Sequence, residues 1–256
     1  MNCARYTTSD DLVLVENAQG QSSVVIVCEH ASYYIPDFYD NLGLEANALQ
    51  SHAAWDPGAL GLAQGMSARL DAALVASGVS RLIYDCNRPP TSVDAMPTQS
   101  ETIKIPGNVG LTAGQRLDRT NRYYEPFRIQ LSKRIASTPN AIIVTVHSFT
   151  PLYHGASRAV EIGILHDTDT RLADIMLQLA PCHTDANVQR NAPYGPEHGV
   201  THTLKEHAIK AGLSNVMIEV RNDLIQTAKQ QDAMANVLAN WLSVSLEQIQ
   251  SEKQTL

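Results

Sequence analysis

Two histidines of this chain lie where apolar, strand-like runs end. His30 follows the run Val24-Val-Ile-Val-Cys-Glu, and His147 follows Ala141-Ile-Ile-Val-Thr-Val. A third apolar run begins at Val216 and continues into Glu219. Because open α/β sheets bind ligands outside the carboxyl ends of their strands, we expect these polar groups to meet at one edge. Two imidazoles and a carboxylate placed together are typical of a metal site with catalytic chemistry.

The residues alone leave the third metal ligand open. A catalytic zinc site takes three protein ligands and keeps one position for water, and neither histidine belongs to an HxxE or HExxH motif. Asp56 precedes a predicted helix, where an aspartate is equally expected as an N-cap. Glu29 is the second candidate, although it points to the opposite strand face from His30. His52 is a lesser candidate.

Glu219 is the predicted general base. It lies in an apolar strand, and burial raises the pKa of a carboxyl group. A carboxylate beside metal-activated water can accept its proton and pass it to a leaving amine. The alternative is a structural salt bridge with Arg221, but Arg221 faces the same side of the strand and could border the site. The combination predicts a metal-dependent hydrolase.

A second group of polar residues follows the run Ser80-Arg-Leu-Ile-Tyr-Asp-Cys. Asn87 and Arg88 lie at its exit, where a guanidinium can bind a substrate carboxylate with two parallel hydrogen bonds. Arg81 is predicted to stabilise a polarised carbonyl as a catalytic residue, although it lies at the other end of the run.

Composition restricts the class of protein. The chain has 256 residues, 44% hydrophobic and 18% charged, which fits one globular α/β domain over 1–256. A net charge of −7 argues against a nucleic-acid partner, and no run has membrane-spanning length. The start Met-Asn-Cys-Ala-Arg has no apolar signal region, so a reduced cytoplasm is expected. The cysteines are scattered without CxxC spacing, so we predict no cysteine-ligated zinc; oligomeric state is left open.

Strand-like and helix-like segments alternate along the chain. Strands are predicted at Val24–Cys28, Arg81–Asp85, Ala141–His147, Ala159–His166 and Val216–Val220. Helices are predicted at Gly58–Ser77, Ala113–Ser137 with an interruption at Pro126, Thr168–Leu179 and Gln230–Leu246. Near-continuous Val/Ile strands between helices indicate a three-layer α/β/α fold with a mixed, largely parallel sheet. The irregular segments Asn87–Gly110 and Asn187–Thr203 are predicted to be lids or substrate walls.

These segments together resemble the N-formylglutamate amidohydrolase family, from about Val24 to Leu224. The matching motifs occur in the family's order. They are His30-Ala31-Ser32 with Ile35-Pro36, Trp55-Asp56-Pro57-Gly58-Ala59, the run containing Arg81, Asp85, Asn87 and Arg88, His147-Ser148, and Ile218-Glu219. Each motif alone is weak evidence, whereas their order along the chain is specific.

The resemblance implies a zinc-dependent amidohydrolase with a phosphorylase/hydrolase-like fold similar to the zinc carboxypeptidases. It implies that His30, Asp56 and His147 bind the metal and that Glu219 is the general acid/base. The pair Asn87-Arg88 is similar to the Asn-Arg pair that holds a substrate carboxylate in related acylases. The expected partner is a small N-acyl amino acid such as N-formylglutamate. Sites of two histidines and one carboxylate also accept other divalent metals.

The chain departs from the N-formylglutamate enzymes after His147-Ser148, where they have an arginine and this chain has Phe149-Thr150-Pro151. We therefore predict Tyr194, His202 and Arg221 as candidate specificity residues, with loop packing as an equal alternative for each. The alternative functions are hydrolysis of another amide, such as an N-carbamoyl, N-succinyl or cell-wall peptide bond, and catalytically silent binding of a metal or ligand.

Overall fold

A seven-stranded mixed sheet forms the centre of the fold. The computed structural model describes residues 12–255, with side chains through residue 251. The strands of the sheet are β1 (Val13–Glu16), β2 (Val24–Cys28), β3 (Ala73–Ser77), β6 (Ile142–Phe149), β9 (Ile162–Leu165), β10 (Val188–Arg190) and β11 (Asn215–Arg221). Two hairpins lie outside it, formed by β4 (Gln99–Ser100) with β5 (Ile103–Lys104) and by β7 (Leu152–Tyr153) with β8 (Ala156–Ser157).

The sheet order is β1-β3-β2-β6-β11-β9-β10. The neighbours β3, β2, β6 and β11 run parallel, whereas β1 and β9 are antiparallel to β3 and β11. The helices are α1 (Ala46–Leu49), α2 (Ala59–Leu70), α3 (Ala113–Arg119), α4 (Glu125–Ser137), α5 (Arg171–His183), α6 (His202–His207) and α7 (Ala228–Thr255). The carboxyl ends of the parallel strands therefore meet at one edge of the sheet.

Helices cover both faces of this sheet. Alternate residues of β2 belong to different cores, because Val24 and Ile26 pack with α2, α5 and α7 while Val25 and Val27 pack with α4 and α6. The buried Trp241 of α7 donates its indole N–H to the carbonyl of Met176 in α5, at 2.9 Å. Strands buried on both faces explain the near-continuous apolar runs. The predicted three-layer α/β/α class with a largely parallel mixed sheet is confirmed.

The predicted helix Gly58–Ser77 is wrong in its second half. Helix α2 ends at Leu70, and Asp71 adopts a left-handed backbone conformation with φ 49°. The carboxylate of Asp71 accepts a hydrogen bond from the Asn17 amide, at 3.0 Å, in this conformation. The following apolar residues then form β3, which pairs with β1 and β2. Helical spacing of a few leucines could not distinguish this short buried strand from a helix.

The predicted strand Arg81–Asp85 is also wrong, because the segment is a series of turns. The N–H of Ile83 donates to the carbonyl of Ser80 at 2.9 Å, and that of Arg88 donates to the carbonyl of Asp85 at 2.9 Å. The apolar side chains between them are buried in the core beside α4 rather than in the sheet. The turns bring Arg81 and Asp85 side by side, at 3.0 Å between guanidinium and carboxylate.

The predicted interruption of the helix Ala113–Ser137 is confirmed. A π-helical turn over Thr120–Tyr124 separates α3 from α4, and Pro126 occupies the first turn of α4. A wider turn accommodates the proline, which has no N–H to donate.

Cys28 and Cys86 are buried, whereas Cys182 is exposed. Cys3 lies outside the described residues, and the single domain over 1–256 stays a prediction. No helix in the described part of the chain is long and apolar enough to cross a bilayer.

Candidate active site

A cavity of about 260 Å³ opens at the carboxyl edge of the sheet. Both irregular segments that were predicted to be substrate walls contribute to it, through Asn87, Arg88 and Ser100 on one side and Tyr194, His198 and Val200 on the other. The remaining lining residues are His30, His52, Asp56, Arg81, His147, Ser148, Phe149, Thr150, Tyr153 and Glu219. This volume lies near the lower limit of small-molecule sites, which is about 300 Å³, so the cavity suits a small substrate.

Three potential metal ligands converge at the base of this cavity. The Nδ1 atoms of His30 and His147 lie 3.2 Å apart. The Oδ2 atom of Asp56 lies 3.2 Å from the first and 2.9 Å from the second. All three residues are buried and could hold a metal ion. Asp56 reaches this point because its backbone N–H donates to the carbonyl of His30 at 2.9 Å, which joins two segments far apart in the sequence.

Further carboxylates lie behind both imidazoles. The Nε2 atom of His30 is 2.7 Å from Asp85, and that of His147 is 3.1 Å from Glu29. Histidines that ligate metals almost always present their second ring nitrogen to a carboxylate, a carbonyl or water. With the ring protons on the two Nε2 atoms, both Nδ1 lone pairs point toward the oxygen of Asp56. Three acceptors within 3.2 Å require a proton or a cation between them.

The donor spacing fits a divalent metal. Ligand atoms about 2.0–2.2 Å from a tetrahedral centre lie about 3.3–3.6 Å from one another. The observed separations of 2.9–3.2 Å are slightly shorter, so a small outward movement would accommodate an ion. Charge is compatible with the same conclusion, since four buried carboxylates, Glu29, Asp56, Asp85 and Glu219, lie around the two histidines, and Arg81 and Arg88 are the arginines that line the cavity. Burial raises the pKa of Asp56, but His30 and His147 outweigh it and hold this pKa well below its usual range.

Glu219 lies beside His30, Asp56 and His147, which are called the ligand cluster below. Strands β6 and β11 are parallel neighbours in which Glu219 pairs directly with His147, so both side chains project from the same face. Glu219 is 5% exposed, and its Oε2 atom has no hydrogen-bond partner among the described residues. Burial is the main reason that the pKa of Glu219 is raised, to about 7, with His147 opposing and Asp56 reinforcing the change. A carboxylate with this proton affinity can accept and return a proton near neutral pH.

Arg81 reaches the cavity, although it lies at the far end of the run from Asn87 and Arg88 in the sequence. Its guanidinium donates to Asp85 at 3.0 Å and to Asp56 at 3.4 Å, and it lines the cavity. Burial lowers the pKa of Arg81, but Asp85 and Asp56 outweigh it and raise this pKa. The two carboxylates therefore fix a permanent positive charge beside the ligand cluster.

Arg88 is a second cation in the cavity wall. It donates to the carbonyls of Asn87 and Gly199, at 3.0 and 2.8 Å, and no described carboxylate pairs with it. The Asn87 amide donates to the carbonyl of Val200 at 2.5 Å and accepts from the N–H of Thr203 at 3.0 Å. Asn87 therefore ties the two cavity walls together, while Arg88 keeps donors for an anion.

The structure does not bring every predicted residue to the cavity. His202 lies 2.8 Å from the hydroxyl of Tyr124, and Arg221 pairs with Asp223 at 2.8 Å, so neither lines it. The guanidinium of Arg221 is held by Asp223, in the loop that follows β11, and by Glu161. His52 lies at the rim, bound to Glu101 at 3.0 Å, and is not part of the ligand cluster.

Sequence reasoning missed the groups that support the predicted residues. In the sequence Asp85 is only part of a motif, and a predicted strand over this segment gives no indication that its carboxylate pairs with Arg81 and His30. Arg158 was missed altogether, and no local pattern in the sequence indicates that it packs against Tyr153 and Tyr194. Such contacts depend on the hairpin β7–β8, whose strands are too short to predict.

Comparison with known proteins shows the family of this chain. The family model of N-formylglutamate amidohydrolase matches residues 22–226, which include every member of the ligand cluster and Glu219. The chain belongs to the N-formylglutamate amidohydrolase family. Family membership supports amidohydrolase activity on N-formylglutamate. A search of curated proteins found no match.

Two solved structures are similar to this family member. The gene product Atu2144 from Agrobacterium tumefaciens is 51% identical in sequence with a TM-score of 0.92, covering 96% of this chain and 100% of that one. An N-formylglutamate amidohydrolase from Ralstonia eutropha JMP134 is 16% identical with a TM-score of 0.64, covering 95% of this chain and 99% of that one. The second likeness concerns the fold alone.

Proposed function

We propose that this protein hydrolyses the amide of a small N-acyl amino acid, with N-formylglutamate as the first substrate to test, and that it uses a divalent metal, zinc in the first instance. The observation that supports this most is the convergence of two histidine Nδ1 atoms and an Asp56 oxygen within 3.2 Å, beside the buried Glu219. His30, Asp56 and His147 would hold the metal. A bound divalent metal supplies Lewis acidity, which activates water and polarises the acyl oxygen.

Glu219 moves the proton in this proposal. Its carboxylate accepts a proton from the attacking water and returns it to the amide nitrogen as the C–N bond breaks. The water oxygen ends in the carboxylate product, and the nitrogen leaves as the free amine of the amino acid. Because Glu219 is buried and its pKa is raised, it can act as a base and then as an acid within one turnover.

Arg88 and Arg81 divide the binding of negative charge. Arg88 has donors facing the cavity and no described carboxylate partner, so it binds the substrate's α-carboxylate. Arg81 is already held by Asp56 and Asp85 and contributes positive charge where the acyl oxygen becomes negative. Direct contact between Asn87 and substrate stays a prediction, since its amide groups bind the backbone of the opposite wall.

The test is hydrolysis of a panel of N-formyl, N-carbamoyl and N-succinyl amino acids by protein with verified metal content. We expect release of the free amino acid from N-formylglutamate, and loss of that activity when the metal is removed by a chelator and restored by its return. Protein that binds metal at the cluster and hydrolyses no member of the panel would instead show a silent binding site.

A further inference from the structure

The hydroxyl of Tyr194 is held from behind by an arginine. The Nη2 atom of Arg158 donates to this hydroxyl at 3.0 Å. Tyr194 lines the cavity together with Glu219 and Arg81, whereas Arg158 lies behind the wall. A phenol that accepts a hydrogen bond from a guanidinium is polarised, which makes its own O–H a stronger donor.

Arg158 is fixed by aromatic rings. Its guanidinium carbon lies 4.4 Å from the ring centre of Tyr153, 4.8 Å from that of Tyr194 and 5.7 Å from that of Phe149. All of these rings line the cavity, so the positive charge is held against the wall by cation–π contacts. Among the described residues no carboxylate forms an ion pair with Arg158. Arg221 donates to the backbone carbonyl of Arg158 at 3.2 Å, which fixes the start of this side chain.

The hydroxyl proton of Tyr194 is available for a ligand. No described residue accepts a hydrogen bond from this hydroxyl, although it accepts one itself from Arg158. Burial and the negative charge of Glu219 raise the pKa of Tyr194, while Arg158 and Arg81 oppose the change, so the phenol stays protonated near neutral pH. Tyr194 and Glu219 line the same cavity, so the hydroxyl and the proposed base face one substrate site.

We propose that Tyr194 is a catalytic residue that donates its hydroxyl hydrogen to the acyl oxygen of the substrate, and that Arg158 is the positioning residue that orients and polarises this hydroxyl. This inference rests on the proposed hydrolysis. It adds a neutral hydrogen-bond donor to the positive charge of Arg81, and both residues line the same cavity. Loss of one such donor lowers kcat by about 10²-fold or more in other acyl-transfer enzymes.

The experiment is a double-mutant cycle on metal-loaded protein. Tyr194→Phe keeps the ring and removes only the hydroxyl, so kcat should fall by about 10²-fold while KM changes little. Arg158→Met should lower kcat in the same manner, and Arg158→Lys should recover part of the loss because an ammonium can still donate to the phenol. In the Tyr194→Phe background, Arg158→Met should cost little more, since the hydroxyl on which it acts is gone.

Arg128→Met serves as the matched control. Arg128 pairs with Glu125 on the surface of α4, away from the cavity, so this variant should keep wild-type kcat and KM. If Arg158→Met does not fold, the cycle is completed with Arg158→Lys, whose loss in kcat should likewise disappear in the Tyr194→Phe background.

The outcomes separate this inference from the proposed function. A metal-loaded wild-type protein without hydrolytic activity would overturn both. An active wild type with unchanged kcat in Tyr194→Phe would overturn the role of Tyr194 alone. Losses that multiply in the double variant, or that appear mainly in KM, would show that Arg158 does not act through the Tyr194 hydroxyl.

Discussion

Replacement of Glu219 with Gln is the most informative single change in this site. The two side chains have nearly the same volume, so packing in β11 should be preserved, but the amide cannot accept the proton of the attacking water. General-base catalysis contributes about 10²–10⁴-fold to rate, which corresponds to about 3–5 kcal/mol at the transition state. We therefore expect kcat to fall by at least about 10²-fold, with metal still bound to the ligand cluster.

The same substitution has a predicted effect on stability in the metal-free protein. Burial raises the pKa of Glu219 to about 7, from an ordinary value of about 4.5. Because the folded state then binds more protons than the unfolded state between these values, stability falls as pH rises through this window. Above pH ~7 this burial lowers the free energy of unfolding by about 3 kcal/mol, at about 1.4 kcal/mol for each pKa unit. This loss is the cost of burying the charged carboxylate. Glu219→Gln should remove it and raise Tm by several degrees at pH ~8.

Three assays measure these effects: steady-state kinetics on N-formylglutamate, metal content of the loaded protein, and thermal unfolding of the metal-free protein at pH ~8. Glu125→Gln is the matched control. Glu125 is partly exposed on α4, where its ion pair with Arg128 contributes at most about 1 kcal/mol. Wild-type turnover in Glu219→Gln with full metal content would refute the assigned base, and a lower Tm of the metal-free variant would refute the burial argument.

Three further changes test other parts of the site. Arg88→Met should raise KM about 10–100-fold for substrates with a free α-carboxylate and little for their carboxamides, and an equal rise for both would contradict the assignment. Asp85→Asn should weaken metal binding about 10–100-fold in a chelator competition, because Asp85 orients His30, and unchanged affinity would contradict this. Although burial lowers the pKa of His147, Glu29 and Asp56 raise it well above its usual range. Protons therefore compete with the metal, and affinity measured by titration should fall from pH ~8 to pH ~5.5, whereas a pH-independent affinity would show that His147 is not a ligand.

The sequence predicted the fold class from the alternation of apolar strands with helices, and it predicted the edge of the sheet where polar groups meet from the residues near the strand ends. Buried apolar runs identified β2, β6 and β11, and the residues at their ends are His30, His147 and Glu219. Asp56 could not be assigned from the residues alone, since an N-cap and a ligand require the same residue type. The fold decides its position through the backbone hydrogen bond to His30, which no local pattern contains.

The errors arose where tertiary contacts override local patterns. The apolar residues between Arg81 and Asp85 are buried, as expected for a strand. They lie in turns, however, and pack in the core that also contains α4. Periodicity reports that a residue is buried and cannot report against which element. The same reason explains why Arg221, two residues from Glu219, turned toward Asp223 and Glu161 instead of the cavity.

The proposed function depends on the assignment of His30, Asp56 and His147 as ligands of one divalent metal ion. The direct measurement is metal content and affinity of purified protein, by elemental analysis and titration, for wild type and for Asp56→Ala and His147→Ala. We expect one tightly bound ion per chain in the wild type, loss of tight binding in both variants with folding retained, and tight binding retained in Glu219→Gln. Stoichiometric tight binding in folded Asp56→Ala and His147→Ala, or its absence in wild type, would contradict it.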